Sequence, residues 1–385
     1  MSNITLFRTT ERIVMGAGSI NTLDQEIKNL GGTKPMLITD PGLVATGIID
    51  RIEKLLTKGG FAFIRFDKVE ADPRFEIVNE VVDLIRANNI DCILGIGGGS
   101  SLDIAKVASV MVTNPGKVEE YFGIDLVKKP GLKTILVPTT AGTGSEVTPI
   151  VILSDNHEKL KKGVVSSHLL PDCALLDPEL TVGLPPAVTA ATGMDALIHA
   201  MEAYTSINAN STTDMLAVRA MELIFGNIRT AYANGNDIEA RNKMLEGSML
   251  AGMAFANAGV TAVHAFAYPI GAEFHIPHGI ANTIMLTPVM EFNLIGNLDK
   301  FAHIARIFGE GDAGMSPRKL AELGVAAVRE LAADLNVPQH LSAYNVKADD
   351  VPALAEGVMK VTRLLANNPR TLKIEDAEAI YRSVL

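Results

Sequence analysis

In "GMDALIHAMEAY" (193–204), Asp195 and His199 stand at i and i+4, and Glu202 follows one turn later near the same helical stripe. Two carboxylates and an imidazole in so apolar a stretch read either as a capping or surface pair or as the side of a cation site. A second cluster favours the cation. "VHAFAYPIGAEFHIPHG" (263–279) holds His264, Tyr268, His275 and His278, so with His199 four of the chain's eight histidines fall in its most apolar region. Unpartnered imidazoles are costly there. A divalent metal held by one carboxylate and two or three imidazoles would satisfy them, and mixed O/N ligation suits Fe(II) or Zn(II) without separating the two. Glu202 can orient His199 from outside the ligand set or end the helix face. His275 can simply fill the loop before Pro277.

Two glycine-rich turns suggest a phosphate site. "GIGGGSSLD" (95–103) follows an expected strand and opens an expected helix, where bare backbone and unpaired N–H groups suit an anion. It is not a clean dinucleotide fingerprint, since Ser100 stands where a third glycine belongs. Ser100 and Asp103 also fit a capping box, which is reason enough for Asp103. "PTTAGTGSEVT" (138–148) adds hydroxyls on Thr139, Thr140, Thr143 and Ser145. Asp40 ends "KPMLITD" (34–40), where a carboxylate either makes a turn with Pro41 or accepts from a ribose 2′-OH, which favours NAD over NADP.

The elements that must carry these residues change character along the chain. Short apolar runs at 34–40, 61–66, 91–99, 133–142 and 172–180 read as buried strands, with helical periodicity at 42–60 and 75–89 between them. That alternation predicts a largely parallel α/β domain over residues 1–184. After Pro185-Pro186 the spacing is helical throughout, predicting an all-helical metal and substrate domain over 185–385. Residues 247–272 lack Asp, Glu, Lys and Arg for longer than a bilayer requires, but Asn257, Thr261, His264, Tyr268, Pro269 and several glycines point to a buried helix rather than a membrane span. A net charge of −10 argues against nucleic-acid partners, and charged residues near the amino terminus argue against an export signal. With only two cysteines and no C-x-x-C, a cytoplasmic setting is expected.

Taken together, "GMDALIHAMEAY", "HAFAYPIGAEFHIPHG", "IGGGSSLDIAK" and "PTTAGTGSEVT" resemble the iron-containing (group III) alcohol dehydrogenases, and the likeness runs from about residue 5 to the carboxyl end, including "NNPR" at 367–370. The resemblance implies a dehydroquinate synthase-like architecture, in which an α/β nucleotide domain precedes a helical one. It also implies metal ligands at Asp195, His199, His264 and His278. NAD contacts are implied at Asp40, Asp72, Gly98, Gly99, Ser100, Thr139, Thr140, Thr143 and Lys161, although Asp72 replaces the Asn common in the family. Tyr268 is the larger departure, for better-known members carry a second histidine there with a proton-relay role. A phenol titrating near 10 cannot relay as an imidazole does, so water, or the Tyr268 hydroxyl as donor, must substitute. The implied activity is NAD(H)-dependent interconversion of small primary alcohols or diols and aldehydes, with a metal as Lewis acid, in a homodimer or higher homo-oligomer.

Tyr268 also resembles the branch containing 4-hydroxybutyrate dehydrogenases, and Arg363 or Arg370 can bind a carboxylate or serve as ordinary surface charges. A lyase of the dehydroquinate synthase type needs a basic cluster for a phosphorylated substrate, yet residues 190–280 contain only Arg219, Arg229, Arg241 and Lys243. The three-histidine pattern points away from glycerol dehydrogenase. A non-enzymatic nucleotide-binding protein would leave the buried histidines without a purpose.

Overall fold

The computed structural model describes residues 4–155 and 160–385, and divides into two compact units. One is Arg8–Gly183; the other is Leu184–Leu385 together with the segment ending at Phe7.

Among the described residues the first unit contains nine strands, β1 (Arg12–Met15), β2 (Pro35–Ile38), β3 (Ile64–Phe66), β4 (Cys92–Gly97), β5 (Gly123–Ile124), β6 (Lys133–Pro138), β7 (Ile150–Asp155), β8 (Leu160–Val165) and β9 (Cys173–Leu176). Its helices are α1 (Leu23–Asn29), α2 (Pro41–Ala45), α3 (Ile48–Lys58), α4 (Ile77–Ala87) and α5 (Gly99–Thr113). Six strands form an all-parallel sheet in the order β1-β9-β6-β4-β2-β3. Successive side chains alternate between two cores: Leu94 and Ile96 join α1 and α3 on one face, while Ile93 joins α4 and α5 on the other. Burial on both faces explains the continuous apolar runs.

The chain leaves β2 for β3 on one side and leaves β4 for β6 on the other. Between the carboxyl ends of β2 and β4 the winding therefore reverses, which is where α/β sheets take ligands. The expected helix at 42–60 is broken, because Gly47 at φ 81° separates α2 from α3. Strand β1, and the second sheet of β5, β8 and β7, were not signalled by sequence periodicity.

The second unit is helical: α6 (Pro186–Thr205), α7 (Ser211–Ala233), α8 (Ile238–Ala258), α9 (Ala262–Phe274), α10 (His278–Asn293), α11 (Leu298–Ile307), α12 (Pro317–Asp334), α13 (Val351–Lys360), α14 (Thr362–Leu365) and α15 (Ile374–Arg382). The uncharged stretch 247–272 is not one buried helix. It turns by 103° between α8 and α9, at Gly259 with φ 80°. No single helix among the described residues is long and apolar enough to cross a membrane. Helices α6 and α10 meet backbone to backbone, for a Cβ on Gly279 would lie 2.1 Å from the Ala191 carbonyl oxygen.

Candidate metal and nucleotide sites

Asp195 and His199 lie on the buried face of α6, His264 on the first turn of α9, and His278 is the first residue of α10. Asp195, His199 and His264 each offer one ligand atom, all within 4.8 Å of one another. His264 Nε2 is 3.0 Å from His199 Nε2, and the His264 and His278 Nε2 atoms each stand 3.8 Å from Asp195 Oδ1. Phe255 stacks on the His199 ring at 4.3 Å, closing one side with apolar surface. Burial works to raise the Asp195 pKa, but the surrounding imidazoles hold its carboxyl below the usual range.

Two residues outside the expected ligand set organise it. Glu202 supports His264, not His199: Oε2 accepts from His264 Nδ1, while Oε1 accepts the Thr261 and Val263 backbone N–H groups at 3.0 and 2.8 Å. One carboxylate thus caps the start of α9 and leaves the His264 Nε2 lone pair aimed at the cluster. Burial alone would lower the His264 pKa, but the charge and hydrogen bond of Glu202 raise it. Asn282, one turn after His278, donates to Asp195 Oδ1 at 2.7 Å, with its Nδ2 3.2 Å and 3.1 Å from the Nε2 atoms of His264 and His278. Its own Oδ1 is buried and lacks a hydrogen-bond partner. The i, i+4 spacing from His278 was the available signal for Asn282; Glu202 lacked a comparable one for its partner on α9. A carboxylate and three imidazoles whose donor atoms converge in this way fit a divalent cation.

His275 lies outside the cluster. It is the exposed, left-handed residue that ends α9, at φ 53°. Tyr268 is partly exposed with its ring 6.2 Å from that of His278, and burial raises its pKa.

In the other unit, Asp40 and residues 97–101 meet at the reversal between β2 and β4. Asp40 Oδ1 accepts from Leu43 N at 2.9 Å and so caps α2, whereas Oδ2 has only a 3.4 Å contact with the Ser101 hydroxyl. Capping uses one oxygen and leaves the other for a ligand. Gly98 precedes α5 with no side-chain cap, so the Ser100–Asp103 capping box does not form. Asp103 instead accepts from the Ser145 hydroxyl at 2.5 Å and from Ile152 N at 2.9 Å.

The two glycine-rich turns press together, because a Cβ on Gly99 would lie 2.7 Å from Thr143 Cγ2. Beneath them the buried Lys106 ammonium donates to the carbonyls of Ser145 at 2.9 Å and Ile150 at 2.6 Å. Thr139 N donates to the Gly97 carbonyl oxygen at 3.0 Å, while Thr140 faces Gly98. Asp72 and Lys161 form an ion pair of 2.6 Å.

Comparison with known proteins assigns the chain to a family. The family described as "Iron-containing alcohol dehydrogenase" matches residues 10–178, and "Fe-containing alcohol dehydrogenase family, C-terminal" matches 189–385. The chain belongs to the iron-containing alcohol dehydrogenases. This alcohol dehydrogenase is 44% identical to sulfoacetaldehyde reductase of Bilophila wadsworthia, over 97% of each chain. It is 40% identical to 1,3-propanediol dehydrogenase of Klebsiella pneumoniae, over 95% of each. Its fold matches a crystal structure of 1,3-propanediol oxidoreductase with a TM-score of 0.97 and 38% identity, covering all of both chains.

The basic residues that a phosphorylated substrate would need are committed elsewhere in the alcohol dehydrogenase. Arg219, Arg229 and Lys243 pair with Glu222, Asp334 and Glu239, and Arg241 donates to Thr189 and to the Gly235 and Leu184 carbonyls.

Proposed function

We propose that this enzyme interconverts small primary alcohols or diols and aldehydes by hydride exchange with NAD(H), assisted by Fe(II). The observation that carries this reading is the convergence of Asp195, His199, His264 and His278 around Asn282. We assign those four as the ligands. A divalent cation there supplies Lewis acidity toward an alcohol or carbonyl oxygen. One carboxylate and three neutral imidazoles offset only one of its two charges, so a developing negative oxygen is favoured in the site. Zn(II) fits the same donors.

For the nucleotide we assign Asp40, Asp72, Gly98, Gly99, Ser100, Thr139, Thr140, Thr143 and Lys161. The open α5 N-terminus suits a pyrophosphate. The available Asp40 oxygen suits a ribose hydroxyl and repels a 2′-phosphate, which supports NAD. Tyr268 has its pKa raised by burial and keeps its proton near neutrality, so we assign it as a hydroxyl donor near the reacting oxygen rather than a titrating relay. Its position beside His278 supports that role.

Two unpaired, fully buried cysteines suit a reducing cytoplasm, and a homodimer or higher homo-oligomer belongs to the same reading. A second reading is reduction of a semialdehyde bearing an acid group. It is favoured by the similarity to a sulfoacetaldehyde reductase.

The test is anaerobic NADH consumption by Fe(II)-loaded protein with propanal and succinic semialdehyde side by side, with His264→Ala as control. Turnover lost in the variant supports the metal-assisted reaction. Turnover retained in it refutes that reaction.

A further inference from the structure

We propose that Asn367 and Asn368 are positioning residues for His264, holding the corner between α8 and α9 so that the imidazole meets Asp195 and His199. This rests on the metal reading above and names what sets the geometry of that site.

Residues 367–370 lie in irregular structure between α14 and α15, yet Asn368 is buried against the buried Asn293. Irregular segments normally run over the surface, so a buried amide here calls for a reason. Its hydrogen bonds lead to α9. Thr261 precedes that helix without a side-chain cap, so the first N–H groups need acceptors from elsewhere. Glu202 takes those of Thr261 and Val263, and Asn368 Oδ1 takes the one between them, from Ala262 at 3.3 Å. His264 follows two residues later.

Asn367 grips the other side of the corner. Its Nδ2 donates to the Val260 carbonyl at 2.9 Å and would lie 2.4 Å from a Cβ on Gly259, so the amide occupies the space that glycine leaves. Asn367 is tied in turn to the end of α6. Its carbonyl accepts from Ile207 N at 3.0 Å, and its Oδ1 accepts from Asn208 Nδ2 at 2.8 Å. Because α6 carries Asp195 and His199, the two asparagines lock the helix of one proposed ligand to the helix of two others.

Asn368 is itself held in one orientation. Its Nδ2 donates to Asn293 Oδ1 at 2.8 Å and to the Arg370 carbonyl at 2.6 Å, and Asn293 Nδ2 donates back to Oδ1 at 2.9 Å. Turning the amide would set donor against donor in a buried site. Arg370 serves a different place. It donates to the Phe292 carbonyl at 2.7 Å and lies 3.8 Å above the Phe292 ring, near the end of α10. That end is about 20 Å along the helix from His278.

The experiment compares wild type, Asn368→Ala, Asn367→Ala, Asn368→Asp and Arg370→Met. Cobalt(II) affinity is read by competition with a chromogenic chelator, cobalt geometry by visible absorption, and stability and amide exchange on chelator-treated protein. In both alanine variants cobalt affinity falls about tenfold, the low end for a ligand's supporting partner, and the spectrum of the bound ion shifts. Amides 261–264 exchange faster. Asn368→Asp keeps an acceptor for Ala262 and recovers the affinity while remaining less stable than wild type. Arg370→Met loses stability but neither affinity nor the spectrum. If one alanine variant does not fold, the other carries the comparison. Wild-type affinity and spectrum in the alanine variants overturn the proposal, as does a loss that follows stability across all four variants.

The exchange data separate this proposal from the metal reading. A wild type that takes up no cobalt, with faster exchange at 261–264 in the alanine variants, sinks the metal reading and keeps the asparagines as holders of the corner. Tight cobalt binding by wild type and both alanine variants, with unchanged exchange, sinks the asparagines and keeps the metal site.

Discussion

The Glu202 carboxylate holds His264 through Nδ1 with one oxygen and the first backbone N–H groups of α9 with the other. Helix start and ligand tautomer therefore depend on one side chain. Glu202→Gln keeps an acceptor for the backbone but presents an N–H where His264 needs an acceptor, favouring the tautomer whose Nε2 carries hydrogen. Divalent-metal affinity is expected to fall about 10- to 100-fold, read by competition with a chromogenic chelator. An unchanged affinity would show that the tautomer is set elsewhere.

Gly99 and Thr143 bring the two glycine-rich turns within van der Waals contact. Gly99→Ala forces them apart, and the NADH dissociation constant should rise at least about tenfold, or ~1.4 kcal/mol, in a fluorescence titration. Metal affinity should not change. Trimming the contact in Gly99→Ala/Thr143→Ser should restore part of the loss.

Lys106 links α5 to the turn after β6 from beneath. Lys106→Met strips donors from the Ser145 and Ile150 carbonyls and leaves the partly buried Asp103 without its cation. The expected loss is about 3–5 kcal/mol, measured by urea denaturation, with weaker NADH binding. Loss of NADH binding without loss of stability would make Lys106 a ligand contact instead.

Glu146 is buried with an unpaired Oε1, and desolvation raises its pKa from 4.5 to about 7. Between those values the unfolded chain releases a proton that the folded chain keeps, so stability falls as pH rises through that window. The full effect is on the order of 3 kcal/mol. Glu146→Gln should remove most of that slope and be the more stable protein at pH 8. A wild-type stability that is flat from pH 5 to 8 would contradict the raised pKa.

Much of the sheet was legible in the sequence, because parallel strands buried on both faces leave unbroken apolar runs such as those of β2, β4 and β6. Strand β1 escaped, since four residues at a sheet edge carry too short a pattern. The break between α8 and α9 escaped as well, for composition records that 247–272 is uncharged but not that Gly259 turns the chain.

His199 and Asp195 declared their shared face by i, i+4 spacing. Asp103 misled, since a nearby serine fits a cap as well as the distant Ser145 and Ile152 that it actually serves. Glu202 could not be paired with His264, because their meeting depends on how α9 crosses α6.

The contact of Gly279 with Ala191 turns the spacing of two of the proposed ligands into a fixed dimension of the scaffold. His278 immediately precedes that glycine, and Asp195 lies one helical turn beyond that alanine. Two peptide backbones in contact cannot close further, and no side chain stands between them to be trimmed. Anyone adapting this enzyme to a larger or smaller ion would find core mutations poor tools, and would have to exchange the ligands themselves.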